Sequence, residues 1–410
     1  MRLTAGPIVL LIVLSAFAIS PARAKSPQPG DEISIDAAAL PPPHATPSVG
    51  NPPEVIPRPH GAGLKLPPGF HAALFAEGLD DARWLAVAPN GDVFLAESQP
   101  GRIILLRDSA GGGRADLRTT FAEGFDRPHG MAFHGGYLYV GDVRGVWRLR
   151  YRPGQTVAEG PPEAVTRPHA LGDGGGHWTR NLVFSPGGDR LFVAVGSRSN
   201  IAEEKAPRAT VQEFAVDGSG QRTFASGLRN PVGIAFRPGT DELWAVVNER
   251  DGLGDGLVPD YLVHLRDGGF YGWPYSYLGG HPQPGFADKR PDLVRRAIVP
   301  DLLFRSHSAP LGLVFYDAGQ FPAEYRGDAF VALHGSWNSS RPTGYMVVRV
   351  HFTGGKPAKA YQVFATGFRL DAGSPAKVWG RPVGLAVAKD GSLLLADDAG
   401  QTVWRISYRP

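Results

Sequence analysis

The chain has 410 residues, 54 of them glycine and 38 proline, and it contains no cysteine. The missing cysteine excludes disulfide bonds, thiolate chemistry, Cys-ligated zinc and covalently attached c-type haem, and the glycine and proline favour short strands joined by turns over long helices. The formal net charge of +3 does not point to a nucleic-acid partner, because removing Arg2 and Arg23 with the leader described next leaves 40 basic against 39 acidic residues.

The first 24 residues predict a cleavable signal peptide. Arg2 supplies the charged start, residues 8–19 form a short apolar core, and Ala22-Arg23-Ala24 is a small-x-small cleavage site. The apolar run is short for a membrane span, which leaves an uncleaved anchor as the alternative. We therefore expect a periplasmic protein with no membrane insertion after cleavage.

Residues 25–63 are Pro-rich and hold few large apolar side chains. This composition is typical of a tail or tether, which could be partly ordered along a domain surface. The folded domain is expected to begin at Leu64 and to run to residue 410.

One pattern then recurs six times: an arginine or proline leads into a short apolar strand, a turn with glycine, and a second apolar strand. A repeat of this length is typical of propellers, because each copy is too short for a core of its own. We predict an all-β fold, a six-bladed β-propeller with four-stranded antiparallel blades, in which the last strand at 402–406 could close the ring with the first blade. The copies lie at residues 83–96, 127–140, 174–195, 229–246, 309–333 and 381–396.

Residues 268–277 lie in a longer interval between the fourth and fifth copies. They are rich in aromatic side chains and glycine, which is unusual for a plain connector. The alternative is a loop that simply packs under the propeller.

The polar residues that precede these strands should converge at one mouth of the central channel, because repeats place equivalent positions around one axis. Cations dominate the set, with few matching acids. Singly, an arginine before a strand is more often a surface group, but together they favour a polyanionic ligand with several carboxylates, which arginine binds bidentately. The set comprises Arg83, Arg127, His129, His177, Arg180, Arg229, Asn230, His307 and Arg381.

His177 is the candidate catalytic residue. It follows the run Gly174-Gly175-Gly176 at the entrance to a strand, where a rigid scaffold can present a loop side chain. Imidazole has an unperturbed pKa of about 6.5 and can act as a general base near neutral pH. On spacing alone, a hydrogen-bonded structural histidine is the alternative.

Residues 248–256 alternate acidic side chains with glycine, so that backbone carbonyls would be exposed. Hard oxygen ligands of this kind suit calcium. The spacing is not that of an EF-hand, and an ordinary acidic loop is the alternative.

Three segments together make the chain similar to the soluble PQQ-dependent sugar dehydrogenases of the aldose and sorbosone type. The order and spacing of these segments match that family, and the resemblance runs from about Leu64 onward. The segments are Gly-His-Trp-Thr-Arg-Asn-Leu-Val-Phe at 176–184, Gly-Leu-Arg-Asn-Pro-Val-Gly-Ile-Ala-Phe at 227–236 followed by Leu243-Trp244 and Asn248-Glu249, and Gly-Gly-Phe-Tyr-Gly-Trp-Pro at 268–274.

The resemblance implies a quinone cofactor over the channel mouth. His177 would take the proton of the substrate hydroxyl as hydride moves to the quinone. His334 is included among the cofactor contacts because it stands near the place of a lysine that the family uses. The implied contacts are Arg229, Asn230, Arg381, Arg180 and His334.

The resemblance also implies calcium, held partly by backbone carbonyls at Arg250 and Asp251, as a Lewis acid. Asp260 stands where the family has the first acid of a second, structural calcium site, and Tyr261 follows it in place of the second acid. Gly176 replaces an acid of the glucose-type enzymes, which favours the sorbosone-like branch.

The predicted function is therefore that of an oxidoreductase, which transfers hydride from a sugar hydroxyl or hydrated aldehyde to PQQ with calcium assistance. Because no haem motif is present, electrons would leave to an external acceptor. One alternative is a calcium-dependent propeller lactonase or other hydrolase, which needs several carboxylates or amides converging on one metal. The other is a non-catalytic periplasmic sugar-binding propeller.

Overall fold

Six sheets of four or five strands build the computed structural model, which describes residues 26–410. The four main strands of each sheet are antiparallel, and the innermost strands of successive sheets lie side by side in a closed ring. The predicted six-bladed, all-β propeller is therefore confirmed. The predicted signal peptide at 1–24 lies outside the described residues, and within 26–410 no helix is long and apolar enough to span a membrane.

The blades are numbered by the chain order of their innermost strands, and each is given from the channel outward. Blade 1 consists of Ala82–Val87, Val93–Glu97, Arg102–Arg107 and Leu117–Glu123; blade 2 of Met131–His134, Tyr137–Asp142, Gly145–Arg150 and Glu163–Ala164; blade 3 of Leu182–Phe184, Arg190–Val195, Thr210–Ala215 and Arg222–Ser226. Blade 4 consists of Asn230–Phe236, Leu243–Asn248, Tyr261–Leu265 and Leu302–Leu303; blade 5 of Pro310–Phe315, Ala329–Leu333, Met346–Val350 and Ala360–Ala365; blade 6 of Pro382–Val387, Leu393–Asp397, Thr402–Tyr408 and Phe70–Glu77.

Blade 6 is completed by a strand from the start of the propeller. Phe70–Glu77 pairs antiparallel with Thr402–Tyr408 along its whole length. The predicted closing strand therefore exists, but its predicted partner is wrong, because it pairs within the sixth blade and not with the first. Two segments that are far apart in the chain are thereby joined in one sheet.

The Pro-rich segment at residues 26–63, which we call the strap, lies along the propeller. Glu32–Ser34 adds a fifth strand to blade 5, antiparallel to Ala360–Ala365. Further along, Glu54–Val55 pairs in parallel with Lys377–Val378. Strand pairing therefore fastens the strap at two places. This is the arrangement of a tail that is partly ordered along the domain surface.

The aromatic insertion packs against the outer edge of blade 3. Gly269–Phe270 pairs in parallel with Arg222–Ser226, and the side chains of Tyr271 and Trp273 are buried. This arrangement corresponds to the packed-loop interpretation. The remaining short elements are Ser276–Tyr277 with His281–Pro282, Phe352–Thr353 with Lys356–Pro357, the helix Pro291–Arg296, and 3₁₀ turns at Ala37–Ala39, Ala287–Lys289 and Ala323–Tyr325.

The hydrophobic core lies between adjacent blades. Between blades 5 and 6, for example, Phe330 packs in one cluster with Leu395. A small separate cluster joins Val232, Leu311 and Val383 from the innermost strands of blades 4, 5 and 6. Apolar side chains of blades 4 to 6 therefore fill part of the centre of the ring. The polar residues lie at the mouth of the channel.

The recurring Pro-x-Gly of the innermost strands has a steric cause. In blades 4 and 6 this glycine lies against the backbone of the next innermost strand. A Cβ on Gly233 would stand 2.6 Å from the Leu311 carbonyl oxygen, and a Cβ on Gly384 would stand 2.5 Å from the Arg83 carbonyl oxygen. Interiors packed at crystal-like density have no room for an extra methyl group there, so glycine lets neighbouring blades approach closely.

We expect Gly233→Ala to destabilise the propeller by about 1–3 kcal/mol, because the atom that the new methyl group meets belongs to the backbone and cannot rotate away. The measurement is the midpoint of urea unfolding. Gly112→Ala is the control, since a Cβ at Gly112 meets nothing within 4 Å. Equal midpoints for the two variants would contradict the steric explanation.

Candidate active site

Loops at one mouth of the channel enclose a cavity of about 430 Å³. Most of the predicted site residues line this cavity, together with Arg83 and Trp178. Arg180 and Arg250 were also predicted for the site, but they do not line it. Blades 3 to 6 supply the predicted residues, which the structure therefore brings together. The predicted residues that line the cavity are His177, Arg229, Asn230, Asp251, Asp260, His334 and Arg381.

Blade 2 contributes to the site only from behind. His129 is fully buried, with its ring centroid 4.9 Å from that of Trp84 and 5.6 Å from that of Trp178. The Arg127 guanidinium lies over the Trp178 ring, 5.7 Å from its centroid. Neither Arg127 nor His129 lines the cavity, but both pack against Trp178, which does line it.

His177 is held by Ser197, whose hydroxyl Oγ also lies 3.1 Å from the ring Nδ1. The backbone N–H and the ring Nδ1 of His177 both contact the Ser197 carbonyl oxygen, at 3.0 and 2.9 Å. Gly196 makes room for this arrangement, because a Cβ there would stand 2.6 Å from the His177 Cβ. The ring is therefore fixed between the loop and the end of the second strand of blade 3.

These contacts determine which ring nitrogen is available. A carbonyl oxygen only accepts hydrogen bonds, so Nδ1 of His177 carries the hydrogen and Nε2 carries the lone pair. Burial, aided by the positive charge of Arg229, lowers the pKa of His177 to about 3. The imidazole is consequently neutral at physiological pH, and Nε2 can accept a proton.

We expect the His177 ring of the cofactor-free protein to remain neutral at pH 5.5, because burial disfavours the charged form. Histidine ring resonances of labelled protein, assigned with His177→Gln, provide the measurement. Between about pH 6.5 and 3 the unfolded state binds a proton at His177 that the folded state does not bind. This group therefore lowers the free energy of unfolding as the pH falls through that window and has no effect on it above pH 6.5. A titration midpoint near 6.5 would contradict the argument.

Arg180 supports the His177 loop from below. It is fully buried and donates to the carbonyl oxygens of His177, Thr179 and Asp173 at 2.9–3.0 Å. Burial lowers the pKa of this guanidinium to about 9. The predicted cofactor contact is thus placed by the structure beneath the loop, where it orders the backbone that carries the histidine.

Arg229 and Asn230 form the wall on the blade 4 side. The Arg229 guanidinium donates to the Glu249 carbonyl oxygen at 2.7 Å, to Asn200 Oδ1 at 2.9 Å and to Asp251 Oδ2 at 3.1 Å. Within residues 26–410, Asn230 Oδ1 is buried without a hydrogen-bond partner. Arg229 is therefore positioned by protein contacts, whereas Asn230 retains an unused acceptor.

Blades 1, 5 and 6 supply a second charged group. Arg381 donates to the carbonyl oxygens of His334 and Gly335, at 3.2 and 2.8 Å. Asp398 accepts from Arg83 at 2.5 Å and lies 3.0 Å from His334 Nε2. Burial and the nearby Arg381 lower the pKa of His334 to about 4.

These pairs correct the expectation that few acids match the cations. Asp398 neutralises Arg83, and Asp251 lies against Arg229. A side-chain carboxylate therefore compensates part of the positive charge, whereas the Arg381 guanidinium, in the described part of the chain, hydrogen-bonds only to carbonyl oxygens. Of the three guanidinium groups at the cavity, that of Arg381 is the one without a direct ion pair among the described residues.

Two buried carboxyl groups lie beside Arg229. Asp260 accepts from the backbone N–H groups of Glu249 and Ala309, both at 2.9 Å. Burial raises the pKa of Glu249 to about 7 and that of Asp260 to about 6. In the described chain, Glu249 Oε1 is buried and has no hydrogen-bond partner.

The predicted calcium ligands are only partly available. The Asp251 carbonyl oxygen already accepts from Arg250 Nε at 2.8 Å and from Asn200 Nδ2 at 3.0 Å. Among residues 26–410 no group of three His, Asp or Glu side chains has the geometry of a metal site. The unpartnered Glu249 Oε1 is a hard oxygen at this wall that fits a cation, and the Arg250 side chain caps the Asp251 carbonyl, one of the two carbonyls that were expected to bind calcium.

Asp398 and Asn200 are site residues that sequence reasoning missed. The acid that ends the second strand of blade 6 is Asp397, which accepts the Arg381 backbone N–H as Glu97 and Asp142 accept backbone N–H groups at the start of blades 1 and 2. Asp398 is the next residue, so this positional equivalence marks Asp397 and gives no signal for Asp398. Asn200 lies in the loop between the second and third strands of blade 3, at residues 196–209, and no sequence signal marks it.

Comparisons with known proteins agree with this architecture. A family model described as TrAA12-like matches residues 64–259 and 289–409. The holo form of the pyranose dehydrogenase PQQ domain from Coprinopsis cinerea superposes with a TM-score of 0.71 at 21% identity, covering 86% of this chain and 98% of that one. The predicted resemblance to soluble PQQ-dependent sugar dehydrogenases is confirmed.

Two relatives were compared by sequence. An uncharacterized protein of Borreliella burgdorferi is 26% identical over 364 residues, 84% of this chain and 91% of its own. The pyrroloquinoline quinone-dependent pyranose dehydrogenase of Coprinopsis cinerea is 25% identical over 332 residues, which are 69% of this chain and 44% of that protein. This chain therefore spans less than half the length of the relative whose activity is named.

Proposed function

This chain belongs to the TrAA12-like family, and on that premise we propose that it is an oxidoreductase that oxidises a sugar with PQQ bound in the cavity. The observation that carries the proposal is one cavity in which a neutral histidine and three arginines, Arg83, Arg229 and Arg381, face the same space. A base and a set of cations suit a substrate hydroxyl beside a cofactor with several carboxylates.

The residues present fit PQQ. A volume of about 430 Å³ is within the range of pockets that hold a small cofactor. Arg381 and Arg229 would bind the carboxylates, and the unpartnered Asn230 Oδ1 offers an acceptor at the same wall. Trp178 supplies a flat apolar face, backed by Arg83 5.2 Å from its ring centroid.

The chemistry of the proposed reaction divides between cofactor and protein. When bound, PQQ supplies the two-electron acceptor that takes the hydride from the substrate carbon. His177 Nε2 accepts the proton of the hydroxyl on that carbon, which becomes a carbonyl, or a carboxyl group if the substrate is a hydrated aldehyde. The Ser197 carbonyl oxygen keeps the ring oriented by its contact with Nδ1, and Arg180 keeps the loop in place.

Calcium belongs to the proposal on the chemistry of the wall formed by Glu249, Asp251 and Asp260. Carboxylate oxygens are ligands that calcium prefers, and a cation there would act as a Lewis acid beside the cofactor. Of the two backbone carbonyls predicted as ligands, that of Arg250 stays in the proposal, whereas that of Asp251 already accepts from the Arg250 side chain.

The same proposal includes export to the periplasm, on the leader-like residues 1–24, and an external electron acceptor, on the lack of a haem attachment motif. A metal-dependent hydrolase is less well supported, because Val232 and Leu311 line the cavity on the axis side, where such an enzyme would need oxygen ligands.

The test is reconstitution. The cofactor-free protein is titrated with PQQ, with and without Ca²⁺, and the reduction of an acceptor dye is followed over a panel of aldoses and sorbosone-like substrates. We expect PQQ-dependent dye reduction that Ca²⁺ increases. A folded protein that binds no PQQ would overturn the proposal and favour the sugar-binding alternative, whereas PQQ binding without turnover of any sugar would overturn the sugar as substrate.

A further inference from the structure

Trp337 is the one exposed tryptophan within residues 26–410, with 52% of its surface accessible. It also lines the cavity, in the loop that follows the second strand of blade 5. One exposed apolar residue is ordinary on a protein surface, but an indole that also lines a cavity is accessible to a ligand bound there. An indole face in this position offers a broad apolar surface beside polar groups, which suits the C–H face of a sugar ring.

The loop that carries Trp337 is held on both sides of the indole. Ser336 is buried and its N–H donates to the Thr343 carbonyl oxygen at 2.9 Å. On the other side, Asn338 is buried and donates to Asp251 Oδ1 at 2.6 Å. The side chain is therefore exposed although its neighbours are fixed, which is the arrangement of a platform and not of a frayed loop.

The strap supplies the third support. The Asn51 N–H donates to the Trp337 carbonyl oxygen at 2.7 Å, and Asn51 Nδ2 donates to the carbonyl oxygen of Ser339 at 2.7 Å and to Ser374 Oγ at 2.9 Å. One strap residue thus fastens the Trp337 loop through both its backbone and its side chain.

The same stretch of the strap also contacts the loop that carries Asp251. The His44 N–H donates to the Leu253 carbonyl oxygen at 2.9 Å, and the Asp255 N–H donates to Thr46 Oγ1 at 2.8 Å. Residues 44–51 therefore bridge two rim loops of the cavity, from blades 4 and 5. The family model begins at residue 64, so this bridge lies outside the part of the chain that the family shares.

We infer that Trp337 is the platform against which the sugar ring packs, and that residues 44–51 of the strap are the positioning element that holds it. The inference rests on the proposed function. It assigns the neutral sugar to the apolar indole on the blade 5 side of the cavity. The carboxylates of the cofactor would bind the charged arginines instead.

The experiment compares Trp337→Ala, Trp337→Phe and Asn51→Ala in the PQQ-loaded full chain. Trp337→Ala is expected to raise KM for the sugar by about tenfold with little change in kcat, which is the signature of lost ground-state binding. Trp337→Phe should recover most of the loss, and Asn51→Ala should raise KM by a smaller factor. PQQ affinity should stay the same in all three, because none of these side chains belongs to the cofactor wall.

Two controls match these variants. Leu370→Ala removes another exposed apolar side chain that does not line the cavity, and Asp36→Ala removes a strap side chain whose contact is with the backbone N–H of Ala38. Both should leave KM unchanged. An equal rise in KM for Asp36→Ala and Asn51→Ala would mean that the strap acts through general stability.

A second readout needs no turnover. Acrylamide quenching of tryptophan fluorescence in the cofactor-free protein should decrease when sugar is added, and this protection should be absent in Trp337→Phe. An unchanged KM in Trp337→Ala, in an enzyme that still binds PQQ and reduces dye, would overturn the platform but not the proposed function. If no protein reduces dye, the proposed function fails, and sugar protection of Trp337 alone then decides the platform: no protection would overturn it.

Discussion

Replacing His177 by alanine is expected to lower kcat for sugar oxidation by about 10²–10⁴-fold, the contribution typical of a positioned general base. The substitution removes Nε2, the atom that takes the hydroxyl proton, and leaves the cation wall in place. PQQ affinity should therefore change little while turnover collapses. Steady-state kinetics with an acceptor dye, together with a PQQ titration, measure the two quantities separately.

His134→Ala is the matched control for this experiment. His134 is also half-buried and ends the innermost strand of blade 2, where its ring stacks on Phe184 at 4.2 Å, away from the cavity. We expect its kcat to stay close to that of the wild type. If His177→Ala also kept wild-type kcat, another group would be the base.

Arg381→Ala is expected to weaken PQQ binding by about 2–5 kcal/mol, roughly 30- to 5,000-fold in Kd, because a buried carboxylate would lose its charged partner. Arg381 is the strongest candidate among the three arginines, since Arg83 and Arg229 each have a carboxylate of the protein beside them. Equilibrium titration of the cofactor-free variant provides the measurement, and kcat at saturating PQQ should fall far less than in His177→Ala.

Arg148→Ala serves as the charge-matched control, because Arg148 pairs with Glu163 on the exposed surface of blade 2. Such surface pairs contribute little to stability, so neither folding nor PQQ affinity should change. Arg381→Lys should bind with intermediate affinity, because it keeps the charge but loses the planar fork. Equal Kd values for Arg381→Ala and Arg148→Ala would remove Arg381 from the cofactor site.

The blades could be predicted from the sequence because each repeats one local rule. Apolar strands alternate with glycine turns, and the Pro-x-Gly of Gly233 recurs in blades 2, 5 and 6, at Gly130, Gly312 and Gly384, where a Cβ would also meet the backbone of a neighbouring blade. Positions that are equivalent in such repeats must lie around one axis, which is why His177, Arg229 and Arg381 could be expected to meet. A rule of this kind carries no information about which side chains pair.

The parts that sequence reasoning missed depend on contacts between segments far apart in the chain. Asp398 pairs with Arg83, which belongs to the first blade and lies far from it in the chain, and Asn51 of the strap fastens the Trp337 loop. No local pattern encodes either contact. Arg180 was expected at the cavity because its position in the repeat matches the other arginines, but the Gly-rich loop of blade 3 turns its guanidinium toward backbone carbonyls.

The closure of blade 6 sets the order in which the protein can be assembled. Phe70–Glu77 lacks its partner strand until Thr402–Tyr408 has been synthesised, when all the residues of the blades between them have already been made. Arg381 also belongs to blade 6, so a nascent chain would hold the histidine of blade 3 long before the cation that faces it. We therefore expect the PQQ of the proposed function to bind with full affinity only after blade 6 has been synthesised, because His177 and Arg381 belong to blades that are made at different times.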